Sequence, residues 1–264
     1  MRRFSAKYLE DTRRGMWDDR RALAPLSLRD REHVVDVGCG SGELTRVLAA
    51  ETPGAVTAVD ADADLITHVD AADDRVLGDA TRLPLVSNAA DLVACQALLI
   101  NLPDPVDAVR EFARVSSDLV AAIEPDNSGV DVESTVPAEA ALTRRARDAY
   151  IAGVETDVTL GSHTDEVFAD AGLVDVETRR HEHVRETSAP YSESDIETAQ
   201  RKATGARLRE QRRTLARGGL SEDDIDALRG EWREMGREVV EQMQTGEYER
   251  RTTIPFSVTV GHVE

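Results

Sequence analysis

The chain has 264 residues, of which 41% are hydrophobic and only 4% aromatic. That suffices for one large domain or a domain with a sizeable insert, and Gly and Pro together are too few for a linker protein. No window approaches the 18 apolar residues of a membrane span, the charged start MRRFSAKYLED does not read as a secretory signal, and Cys39 and Cys95 cannot build a disulfide framework, so a cytoplasmic protein is expected.

The 51 acids outweigh 32 bases, for a formal net charge of -19, and only Lys7 and Lys202 among the bases are lysine. Such a surface holds water and cations when salt screens other interactions, which predicts a salt-adapted, halophilic protein. The same charge makes nucleic acid an unlikely partner, although salt adaptation weakens that exclusion.

In chain order, residues 4–24 read as a charged helix carrying Phe4, Tyr8 and Trp17. HVVDVGCGSG (33–42) is a β-branched strand stopped by glycines, and GELTRVLAA (42–50) a helix with Leu44, Val47 and Leu48 on one face. AVTAVDAD (55–62) is a second strand, followed by a helix over about 62–70; VLGDA (76–80) is a third strand and DLVACQALLI (91–100) a fourth. A helix (104–116) and a fifth strand (118–125) come next. This alternation predicts a doubly wound α/β fold around a mostly parallel sheet. Helices at 137–153 and 163–172, a sixth strand at 173–184, helices at 193–217 and 221–244, and a last strand at 252–263 complete the chain. Ser221 is the expected N-cap of the second long helix, with Asp224 at its third position. The expected organisation is an N-terminal segment (1–30), a ligand-binding domain (31–184 with 252–264) and a helical insert (185–251).

The sharpest motif is Asp36-Val-Gly38-Cys39-Gly40-Ser-Gly42, between a strand and a helix. Glycines permit positive φ and close ligand approach, and the helix start offers unpaired N–H groups. The dinucleotide fingerprint G-x-G-x-x-G needs a third glycine at position 43, which is Glu43. Two acids in the loop disfavour a pyrophosphate and favour a cationic ligand such as S-adenosylmethionine. Asp60, at the end of the second strand, is suited to accept both hydroxyls of a ribose, and Asp79 to accept an adenine amino group.

VVDVGCGSGELT, VTAVDAD, VLGDATRLPL and DLVACQALLINLPDPVDAVREFARV together resemble the successive motifs of the class I, Rossmann-like S-adenosylmethionine-dependent methyltransferases, above all the small-molecule, quinone-methylase-like group. The resemblance implies a seven-stranded sheet with an antiparallel last strand beside the fifth. It implies Asp36, Gly38, Cys39, Gly40 and Gly42 around the cofactor, Asp60 and Ala61 at the ribose, Asp79 and Ala80 at the adenine, and Gln96 near the methionine end. It further implies that the insert lids a substrate pocket, with Tyr8, Trp17, Asn101 and Tyr191 as candidate acceptor contacts. A Pro-Gly-Gly turn frequent in the family is replaced by Ser116-Ser117-Asp118.

No catalytic residue is legible, because methyl transfer needs alignment more than acid–base groups. The Asn/Asp-Pro-Pro-aromatic motif of exocyclic-amine methylases is absent after the fourth strand. Glu124-Pro125-Asp126-Asn127 is expected in a loop after the fifth strand, and no metal site is expected. His163, His181 and His183 read as surface residues, and Cys95 as a small core residue. The expected function is methyl transfer to a small organic acceptor; an RNA or protein methyltransferase and a non-catalytic cofactor sensor are the alternatives. Residues 201–217 are basic and 221–249 acidic, which predicts a helical hairpin with opposite charges facing each other.

Overall fold

The computed structural model describes residues 6–264; within its first helix the side chains of residues 7, 8 and 11 lie outside the described set. The elements in chain order are α1 (Ala6–Arg13), β1 (His33–Val37), α2 (Glu43–Glu51), β2 (Ala55–Asp60), β3 (Asp74–Leu77), β4 (Ala90–Gln96), α3 (Pro105–Val115), β5 (Ser116–Pro125), β6 (Asp131–Ser134), α4 (Glu139–Gly153), α5 (Thr164–Asp170), β7 (Val174–Thr187), α6 (Glu193–Thr204), α7 (Ala206–Glu210), α8 (Arg212–Arg217), α9 (Glu222–Thr245) and β8 (Arg250–His262).

The chain divides into two units. The first comprises 1–126, 159–181 and 255–264; the second comprises 127–158 and 182–254. In the first, strands run in the order β3-β2-β1-β4-β5-β8, and β7 also pairs with β8. The pairs from β3 to β5 are parallel, and β8 is antiparallel to β5, with Ile123 opposite Val258 and Pro125 opposite Phe256. The expected antiparallel last strand beside the fifth is present. An eighth strand, β6, pairs antiparallel with residues 250–253 of β8 inside the second unit.

Because strand side chains alternate between faces, the central strands β1, β4 and β5 feed two cores. Val34, Leu92, Ala94, Leu119, Ile123, Phe256 and Val258 pack with Leu44 and Leu48 of α2. Val35, Val37, Val93, Cys95 and Val120 pack on the other face with Phe112 of α3 and Phe168 of α5. By the same alternation Asp36 and Gln96 stand on the α2 face and Glu124 on the α3 face.

In the second unit, Ile225, Leu228, Trp232, Met235 and Val239, the apolar stripe of α9, are buried against Leu142, Ala146 and Leu215. Ser221 and Asp224 form the expected capping box, and Gly246 closes the helix in the left-handed region. Arg212 pairs with Glu222 and Asp226, so the basic and acidic helices do face each other. Glu139 is buried among Lys202, Tyr248 and Arg250, and burial lowers the Lys202 ammonium to about 8.

Three expected helices are shorter or broken. Positive φ at Gly15 and Pro25 in a 3-10 turn (Arg20–Leu26) divide the N-terminal helix. The helix expected over 62–70 is a single 3-10 turn, Leu65–His68. Gly205, at φ 60, ends α6, so residues 193–217 form three helices instead of one.

Candidate functional site

The glycine loop leaves β1 and opens α2. Gly38, Gly40 and Gly42 have φ of 70, 56 and 85, values that a side chain resists. A Cβ on Gly38 would lie 2.8 Å from Leu98 Cδ1, and one on Gly40 2.7 Å from Leu9 Cδ1. Backbone conformation thus favours glycine at all three positions, while the close approaches at Gly38 and Gly40 are to leucine methyl groups that can shift.

Asp36 lies beneath the loop, 1% exposed. Its Oδ2 accepts a hydrogen bond from Thr45 Oγ1 at 2.6 Å, while Oδ1 is buried with no partner among the described residues. Burial pushes the carboxyl up to about 7, and the nearby Asp60 charge adds to the rise. Ser41 Oγ and Gln96 Oε1 are also buried and unpartnered. Gln96 Nε2 points to Met16 Sδ at 2.9 Å. Cys39 is buried, and burial pushes its thiol far above the ordinary range, which leaves it unreactive.

Asp60 ends β2, as expected. Its Oδ2 accepts from Gly40 N at 2.8 Å and its Oδ1 from Asp62 N at 2.8 Å, so this carboxylate fixes the glycine loop from the neighbouring strand. Each oxygen keeps a second lone pair for a hydroxyl donor. Ala61 is exposed beside it. Asp79 does not end the third strand, which stops at Leu77; it occupies an exposed turn, where Thr81 N and Oγ1 donate to its Oδ1. These bonds lower the Asp79 carboxyl. Ala80 next to it is buried.

Of the candidate acceptor contacts, Trp17 is buried with an unpartnered Nε1, and Asn101 donates from Nδ2 to Ala97 O with its Oδ1 unpartnered. Tyr191 belongs to the second unit, where its hydroxyl donates to Tyr248 O. The side chain of Tyr8 lies outside the described residues.

Two anchoring residues have no signature in the sequence. Thr45 holds Asp36 across nine positions. Glu124 lies near the end of β5, inside the expected strand 118–125, and is fully buried instead of being a loop acid. Its carboxylate accepts from the amides of Leu98 (3.0 Å), Leu99 (2.8 Å) and Ile100 (3.4 Å), holding the turn that follows β4. Burial pushes it up to about 7 against the opposing pull of those amides. His183 is buried and His181 half-buried, contrary to the expected surface exposure.

These features suit a cationic nucleoside better than a diphosphate: an unpartnered buried carboxylate oxygen, an acid at Glu43 in the first turn of α2, and an acid at the end of β2.

The methyltransferase domain family matches residues 35–118, which run from β1 into β5. A demethylmenaquinone methyltransferase of Lactiplantibacillus plantarum is 36% identical over 107 residues, covering 36% of this chain and 45% of that protein. The match therefore spans less than half the length of this curated relative. A candidate methyltransferase of Bacillus halodurans of known structure aligns over 93% of this chain and 98% of its own, with 14% identity and a TM-score of 0.53. A candidate methyltransferase solved in complex with the Haloferax volcanii Trm112 methyltransferase activator aligns over 100% of this chain and 99% of its own, with 20% identity and a TM-score of 0.47. With the glycine loop, the acids Asp36 and Asp60 and the antiparallel last strand in place, residues 35–118 match the methyltransferase domain family, and the chain shares the fold of the class I, Rossmann-like methyltransferases, which use S-adenosylmethionine.

Proposed function

We propose that the chain transfers a methyl group from S-adenosylmethionine to a small organic acceptor. The observation that carries this reading is Asp36: a buried carboxylate whose free Oδ1 lies beneath three left-handed glycines. A cation placed there returns the carboxylate to its charged form and offsets its desolvation. The bound cofactor supplies an electrophilic methyl on a sulfonium; Asp36 would hold its ammonium, Asp60 its ribose and the α2 amides its backbone-facing edge. Asp79 and Ala80 would border the adenine and Gln96 the methionine end. The reaction then needs alignment and exclusion of water, which the buried ends of β1 and β4 provide.

The name of the L. plantarum relative and the lack of an amine-methylase motif support a small acceptor, and the high acid content supports work in a salt-rich cytoplasm. Incubation with methyl-labelled S-adenosylmethionine and a panel of small phenols and quinols, headed by reduced short-chain demethylmenaquinone, should move label into an acceptor with stoichiometric S-adenosylhomocysteine. Cofactor binding without transfer to any small acceptor would contradict this choice of acceptor class.

A further inference from the structure

Trp17, Phe256 and His181 form a cluster in the first unit. The Trp17 ring meets Phe256 edge-on at 6.1 Å, and the His181 imidazole stacks on the same ring at 5.7 Å and 27°. Trp17 Nε1 and His181 Nε2 are both buried without a hydrogen-bond partner, one a donor and the other a ring nitrogen open to a donor. Two orphaned polar atoms flanking one phenyl ring are costly unless something else satisfies them.

Their position connects them to the cofactor loop. Phe256 packs on the α2 face of the sheet, the face that also carries Asp36 and Gln96. Gln96, Ile123 and Val258 lie on one line across β4, β5 and β8, and Phe256 is the next same-face position toward the carboxyl end of β5. Two inter-strand steps and one two-residue step place it about 12 Å from Gln96. Met16, next to Trp17 in the chain, touches Gln96. Open α/β sheets bind ligands beyond the carboxyl ends of their strands, which is where this cluster stands.

We propose that Trp17, Phe256 and His181 are the acceptor subsite, built for a planar aromatic molecule with an acidic hydroxyl, and that His181 Nε2 is the base that takes its proton. The inference rests on the methyltransferase reading and names its substrate class. In the step, the acceptor O–H bond breaks with its proton passing to Nε2, and an oxygen electron pair forms the new O–CH3 bond. The S–CH3 bond breaks with its pair remaining on sulfur, and the imidazolium later yields its proton to solvent. The charged groups facing the imidazole are Asp19 and Arg179; burial outweighs Asp19 and lowers the ring below its ordinary value, so it is neutral at pH 7 and fit to act as a base.

The test titrates 1-naphthol into the full chain saturated with S-adenosylhomocysteine, following isotope-labelled histidine imidazoles by NMR and affinity by calorimetry. The signal of His181, identified by its loss in His181→Gln, should be the most perturbed of the six histidines. Affinity should fall about tenfold in His181→Gln, the cost of one lost hydrogen bond to a buried group, and should weaken on acidification as the imidazole takes up a proton. Should His181→Gln not fold, Phe256→Leu and the wild-type spectra decide. S-adenosylhomocysteine binding without naphthol binding, or naphthol binding that leaves the His181 imidazole unmoved, overturns the subsite alone. Failure of S-adenosylhomocysteine itself to bind overturns the methyltransferase reading, and the subsite falls with it.

Discussion

Asp36 and Asp60 divide the work of one loop. Asp60 bonds the backbone of Gly40 and Asp62, whereas Asp36 keeps one oxygen unused. Asp60→Ala should weaken S-adenosylhomocysteine binding by about 1.5–3 kcal/mol in calorimetry, the scale of hydrogen bonds to a charged group; unchanged affinity would refute the ribose role. Asp36 titrates near 7 when folded and near 4 when unfolded, so the folded state holds the extra proton between those values. Its contribution to stability is therefore complete below about pH 4 and is lost as the pH rises through 7. Asp36→Asn removes that loss, so its stability relative to wild type should improve by roughly 4 kcal/mol from pH 4 to pH 8 in urea unfolding. Parallel pH curves would contradict the assignment. The glycines and acids of this loop are legible in sequence because their spacing is local. The Thr45 bond is not, because a Thr nine residues on, inside a helix, carries no sign of its partner.

At the scale of elements, local signals read true and distant ones did not. The Ser221–Asp224 box, the β-branched runs of β1 and β2 and the apolar stripe of α9 each specify their element from neighbouring residues. The N-terminal helix and the helix expected over 193–217 failed where Gly15 and Gly205 adopt positive φ, a choice that a glycine permits but does not announce. Strand β6 is four residues long, and its partner segment in β8 lies more than a hundred positions away, so nothing local marks it. Glu124 belongs to the same class: its three amide partners are 24 to 26 residues distant. Glu124→Ala strands those amides in a buried site and should cost about 3 kcal/mol of stability in urea unfolding. A loss under about 1 kcal/mol would show that they find other partners.

For the whole molecule, a net charge of -19 governs the response to salt. Most ion pairs among the described residues are exposed, such as Arg179–Glu177 and Arg251–Glu186, and exposed pairs contribute little. Self-repulsion among 51 acids is what added salt relieves. The thermal midpoint should rise by roughly 5 °C or more between dilute buffer and molar KCl, equivalent to about 2 kcal/mol for a chain of this size. Full stability without salt would contradict the salt-adapted reading. Composition motivates this prediction, and the helices of the 185–251 insert are legible by their periodicity; that residues 127–158 pack with them is not, since it depends on contacts distant in sequence.

One titration bears most directly on the nature of the loop: S-adenosylhomocysteine against NADH, by calorimetry at pH 6.5 in two buffers of different ionisation enthalpy. The nucleoside should bind and release close to half a proton or more, because its ammonium ionises Asp36, and NADH should give no saturable heat. Binding of NADH with none of the nucleoside would mean that the loop holds a diphosphate, and the methyltransferase account would be wrong.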